Sequence, residues 1–235
     1  MAQAHHPTIT GLLSLAGDAR VTTPHDRELV ANSQAISAVA VSLRDLLNRC
    51  FTDLDAVDPD AFRALPTARL VRSEDFGQIG ASANSVIRFP SLTIFCYRVD
   101  VNRTMRAPWS AVAAQDGVIH LPLDIHFLLT PFDSDPEAEL KILGATMQCL
   151  EQHPIIAGPR LHPGGGWTGN EAIQLINEDL VTEDVLRTFD TLPSDFRLSV
   201  SYLARIARID APDEPDHPDV MTAVRGLAPS PVPVP

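Results

Sequence analysis

Basic side chains are scarce in this chain and lysine is nearly missing: Lys141 stands beside seventeen arginines, and the formal charge is −12. No basic run is present to release counterions from phosphates. The balance therefore argues against passive binding to nucleic acid or to an anionic lipid surface. Long apolar runs are missing as well. Those present are short and broken by charges, so no membrane span is expected. Residues 1–30 have no basic n-region, and residues 11–17 are too short for a secretory h-region, so the chain is expected in the cytoplasm. Cysteine is limited to Cys50, Cys96 and Cys149, each in an apolar stretch. An odd count without CxxC spacing argues against a disulfide framework and against a zinc site, and three buried, reduced thiols are the expectation. Catalytic signatures are lacking too: there is no GxSxG elbow, no HExxH and no EF-hand loop. Gly164, Gly165 and Gly166 are not followed by Lys-Ser/Thr, so they do not read as a phosphate cradle. No cofactor, no metal and no enzymatic activity are expected.

An apolar share of 45% in 235 residues is enough for a real core. Three segments are expected: an extension at 1–32, a domain at 33–210, and an acidic, proline-laden tail at 211–235 that favours extended polyproline II. Asp53, Asp55, Asp58 and Asp60, then Asp133 and Asp135, then Asp213, Glu214, Asp216 and Asp219 read as solvated surface. Ser33 reads as the cap of a helix to about Cys50, with Ile36, Val39, Ala40, Leu43, Leu47 and Cys50 as its stripe. Residues 52–82 read as a long excursion. Residues 92–99 are apolar on both alternating faces, as in a strand covered on both sides.

Residues 118–130 alternate with a period of two. Pro122, which cannot donate to a ladder, should then lie at an edge or a bulge. Asp135-Pro136 opens a second helix with Glu137 and Glu139 against its dipole, Leu140, Leu143, Met147 and Leu150 as its stripe, and His153-Pro154 as its end. A strand is expected at 172–177, a short helix capped by Thr182, and a long strand at 195–210. The fold class is α+β: a mostly antiparallel sheet with helices packed on one face.

Two groups carry polar chemistry. His120, Asp124 and His126 fall on one face of a strand, where a His-Asp-His set is able to hold a metal. No fourth ligand or general base accompanies them, and a polar sheet face under a helix or partner explains the same residues. Arg103, Arg106 and Trp109 share one loop. They read equally as an interface hot spot, or as a tryptophan plugging the core edge beside solvated arginines.

The run LPLDIHFLLTP at 121–131, the acidic turn after it and the helix containing Leu143-Gly144 resemble the signature of contractile-injection-system cap proteins, the tail terminators of phage-tail-like particles. FRLSVSY at 196–202 and YRVDVN at 97–102 fit the same pattern, which covers roughly residues 30–210. Arg106 is followed by Ala107 where the pattern often has Arg-Asn, and the two terminal segments fall outside it. The resemblance implies a homohexameric ring on the distal end of the inner tube and sheath, contacting inner-tube and sheath proteins, ending polymerisation and coupling sheath to tube. Such a ring would sit in a particle that forms in the cytoplasm and can be released with it. The alternatives are a tail-completion or connector protein of a true phage, a metal-dependent enzyme built on His120, Asp124 and His126, and a small-molecule binding module with one deep apolar pocket.

Overall fold

The computed structural model describes residues 32–80, 85–109, 119–167, 169 and 171–210. The extension before Asn32 and the tail after Asp210 lie outside them. Helix α1 (Ala35–Val57) carries the expected stripe: Val39, Ala40, Leu43 and Leu47 are buried, with Ile36 and Cys50 packed against them. Its start differs from expectation. Asn32, not Ser33, accepts the Gln34 N–H at 2.8 Å, and the Asn32 carbonyl takes the Ala35 N–H at 2.9 Å. The helix also passes Cys50 and stops at Val57, because Phe51 and Leu54 continue the stripe into the core.

Six strands form one sheet in the order β1-β2-β3-β6-β5-β4. Strand β1 (Thr67–Val71) runs parallel to β2 (Ser91–Val101), and all other neighbours are antiparallel. The supposed excursion at 52–82 thus holds a strand and a 3₁₀ turn (Ser73–Gln78). Asn48 of α1 fastens β1 by accepting from Ala68 N–H at 2.8 Å and donating to Ala68 O at 3.1 Å, which answers one backbone unit of the edge strand.

The first half of β2 is buried, whereas from Cys96 onward it is mostly exposed, which corrects the expectation of cover on both sides. The reason is pairing: β1 matches β2 only from Ser91 to Phe95. A four-residue helical turn, α2 (Arg103–Arg106), follows. Strand β3 (His120–Phe132) is central, with partners on both sides, so Pro122 is not at an edge. The bulge alternative holds, since the register against β6 (Val200–Asp210) shifts between Leu123 and Asp124. Strand β6 begins at Val200, not 195; Phe196 and Leu198 precede the ladder and are half exposed.

Helix α3 (Pro136–Gln152) starts as its sequence dictates, with Asp135 accepting the Glu137 N–H at 3.1 Å and Pro136 in the first turn. Its buried face is Ala138, Ile142, Leu143, Thr146, Cys149 and Leu150. Leu140 and Met147, expected inside, are exposed. Leu143 and Leu150 are buried as expected; docking against α1 turns the buried face toward Ala138, Ile142, Thr146 and Cys149, which leaves Leu140 and Met147 on its outer side. Strands β4 (Ile155–Ala157) and β5 (Ala172–Glu178) and helix α4 (Thr182–Asp190) complete the fold. Val181, without a side-chain bond, occupies the cap position expected for Thr182.

The larger core lies between one sheet face and helices α1 and α3, centred on Leu43, Leu47, Phe51, Ile125, Phe127 and Tyr202. The opposite face carries a second apolar cluster at one end, where Phe76, Phe132, Phe189, Leu128 and Leu192 meet. The cysteines correct the sequence reading. Cys50 and Cys149 form a disulfide from α1 to α3, and Cys96 is a free, exposed thiol. No CxxC spacing announces the pair, because its halves are 99 residues apart and meet only when the helices dock.

Candidate functional site

Away from the phenylalanine cluster, the second sheet face is polar. The period of two on β3 puts His120, Asp124 and His126 there together, as expected, but each meets its own partner. His120 Nδ1 pairs with Asp210 of β6. Asp124 receives the Asn102 amide at 3.0 and 3.2 Å and faces Arg205 Nε at 3.5 Å. His126 presents Nδ1 to Glu178 of β5 at 3.0 Å and Nε2 to Asp100 of β2 at 3.3 Å. The three therefore do not share a centre. Among the described residues they do not converge as metal ligands, whereas Cys50, Cys149 and His153 do.

Glu178 is the hub of the strip. Its carboxylate accepts from Tyr97 Oη at 2.7 Å and from Ser201 Oγ at 2.8 Å, besides His126. Burial alone would raise its pKa, but the bonds from His126, Tyr97 and Ser201 outweigh that and hold it below the ordinary glutamate value. Burial pushes the Tyr97 hydroxyl up to about 12, with the neighbouring Glu178 acting the same way. Ser201 Oγ thus stands between the Glu178 carboxylate and the Tyr97 hydroxyl, at 2.8 and 3.1 Å. Cross-strand ion pairs of this kind order a surface and fix register.

The Arg103, Arg106 and Trp109 loop joins this strip. Asn102 caps α2, its carbonyl oxygen accepting from Met105 N–H at 3.0 Å. Arg106 donates to His120 O at 3.3 Å, and the Trp109 ring stands edge-on to His120 with centroids 5.8 Å apart. Arg103 points no such bond inward and is exposed. Trp109 and Trp167, the two tryptophans of the chain, line one open cavity of about 330 Å³ with Glu171, Gln174, Arg205 and Arg208. Trp167 is held by its Nε1–H to His162 O at 2.6 Å. Sequence reasoning missed Trp167, Glu178 and the β6 arginines, which carry no motif: Glu178 and the arginines reach the strip through strand pairing, and Trp167 reaches the cavity from the loop before β5.

The family model described as the Pvc16 N-terminal domain matches residues 38–223. The chain belongs to the Pvc16 N-terminal domain family. This bears out the resemblance to contractile-injection-system cap and terminator proteins carried by residues 97–102, 121–131 and 196–202. Two solved structures are similar to this chain. One is the PVC sheath/tube terminator of an extracellular contractile injection system in its extended state, 17% identical, with a TM-score of 0.49 over 86% of this chain and 65% of that one. The other is the tube-terminating cap of the anti-feeding prophage, 14% identical, with a TM-score of 0.40 over 76% of this chain and 60% of that one. The chain thus spans less than two thirds of the length of either of these structures. No curated protein matches it.

Proposed function

We propose that the chain is a structural cap of a contractile injection system, with residues 33–210 assembling as a homohexameric ring on the distal end of the inner tube and sheath. The family match over residues 38–223 carries this reading. Inner-tube and sheath proteins are its partners; the ring ends polymerisation and couples the two layers. Physical features of the fold agree. Beyond Phe95 the β2 edge meets no further strand among the described residues, and Val99 and Val101 are exposed there. Such an edge takes an added strand from a partner. Next to it stand Arg103, Arg106 and Trp109, residue types that concentrate binding energy at interfaces. Cross-strand pairs such as His120–Asp210 and His126–Glu178 order this surface, in keeping with a structural role.

Electron microscopy of particles from a strain lacking the protein tests this reading. Tubes and sheaths of irregular length with open ends are expected. Sealed particles of uniform length that contract normally would overturn it. Sixfold rings of the purified protein, lost in Arg103→Glu and Trp109→Ala variants that keep the wild-type unfolding temperature, are expected for the interface assignment.

A further inference from the structure

Cysteine and histidine converge where α1 and α3 pack together. Cys50 is half-buried on α1, Cys149 on α3 is 2% exposed, and His153 closes the end of α3. Cys149 and His153 are four residues apart, so both side chains leave the same face of the helix end. The Cα atoms of Cys50 and Cys149 are 6.0 Å apart. His153 Nδ1 lies 3.9 Å from Cys50 Sγ and 3.1 Å from Cys149 O. Among the described residues this is the one group of three or more such side chains whose ligand atoms all lie within 4.8 Å of one another.

We propose that, once the Cys50–Cys149 disulfide is reduced, Cys50, Cys149 and His153 bind one zinc ion, which then joins α1 to α3 in the disulfide's place. Two thiolates with one imidazole are a donor set that suits zinc. At Zn–S of about 2.3 Å and Zn–N of about 2.0 Å, tetrahedral geometry needs sulfur–sulfur and sulfur–nitrogen separations of roughly 3.5–3.8 Å. The imidazole nitrogen already stands close to that distance from Cys50 Sγ. The two freed sulfurs need only part by a rotamer adjustment. Two thiolates cancel the charge of the ion, so the centre is neutral, as a site beside Leu150 and the main core requires.

The chemistry balances with a small thiol as reductant. Two such thiols become one disulfide, while Cys50 and Cys149 each take up a hydrogen. Zinc then takes both sulfurs as thiolates and two protons leave to solvent. His153 moves its ring proton from Nδ1 to Nε2 and gives up its bond to the Cys149 carbonyl. Water fills the fourth position. Disulfide and zinc use the same sulfurs and so exclude one another.

Cobalt titration of the full chain tests this. The protein is reduced with a phosphine, freed of reductant without air, and titrated with Co²⁺ and then Zn²⁺. One Co²⁺ per chain is expected, with thiolate-to-metal charge-transfer absorption and four-coordinate d–d bands that one equivalent of Zn²⁺ abolishes. Cys50→Ser and Cys149→Ser should lose the charge-transfer band. His153→Ala should bind at least tenfold more weakly while still forming the disulfide on oxidation, which shows that its fold is intact. A reduced wild-type chain without the band at one equivalent, folded or unfolded, overturns the proposal. So does a band that none of the three substitutions alters.

Discussion

The amide nitrogen of Asn102 binds both carboxylate oxygens of Asp124, at 3.0 and 3.2 Å, while its own carbonyl oxygen caps α2 through Met105 N–H at 3.0 Å. One side chain thereby ties the Arg103–Trp109 loop to the middle of the central strand. Both residues are only 8% exposed, so neither can exchange its partner for water freely. Asn102→Ala leaves a buried carboxylate and an uncapped turn. A loss of about 1–3 kcal/mol is expected in urea unfolding, with a change in Trp109 fluorescence as the loop loosens.

Acid should act on the strip through Glu178. Its folded pKa lies below the ordinary 4.5, so folding binds fewer protons there than the unfolded chain does. The stabilisation is fully present above 4.5 and is lost as pH falls through the lowered folded value. Glu178→Gln should be less stable at neutral pH, and its unfolding free energy should fall less steeply than wild type in that acid window. Parallel slopes for the two proteins would show that Glu178 is not the group responsible.

Gly165 marks a close approach. A Cβ there would overlap the Trp167 indole, which is pinned by its bond to His162 O. Gly165→Ala should displace the ring, shift tryptophan emission and destabilise by about 1–3 kcal/mol, the usual cost of overpacking. Gly144 has nothing near its would-be Cβ and sits inside α3. Gly144→Ala should instead raise stability by about 0.5–1 kcal/mol, in line with helix propensity.

Phe76 anchors the smaller core. Its ring meets Phe95, Phe132 and Phe189 at centroid distances of 5.6, 6.1 and 6.4 Å, two of them edge-on. Phe76→Ala should cost about 3–5 kcal/mol in thermal or urea unfolding, as expected for a buried aromatic ring.

Reduction of Cys50–Cys149 without added metal should lower stability by about 2–5 kcal/mol, because the bridge closes a long loop in the unfolded chain. Differential scanning calorimetry with and without reductant measures this. Cys96→Ser, at an exposed free thiol, should leave the unfolding temperature unchanged.

Local rules made much of this fold legible. The stripe from Val39 to Leu47, the Asp135-Pro136 start of α3 and the alternation through β3 each follow from neighbouring side chains, and the structure keeps all three. The family resemblance was legible for the same reason, since its motifs lie on contiguous runs. Strand β1 was not legible. Five residues with mixed burial give no clear period, and their pairing is decided by β2 and by Asn48 from α1.

By itself the sequence determined the main helices α1 and α3 and the central strand β3, that the charge is acidic, and that His120, Asp124 and His126 share a face. Only the tertiary structure decided that those three part company to Asp210, Asn102 and Glu178, that Leu140 faces outward on α3, and that Cys50 meets Cys149 beside His153. The physical reason is range. Periodicity and capping act within a few residues, whereas ion-pair partners, buried faces and sulfur neighbours are chosen when elements far apart in the chain pack together.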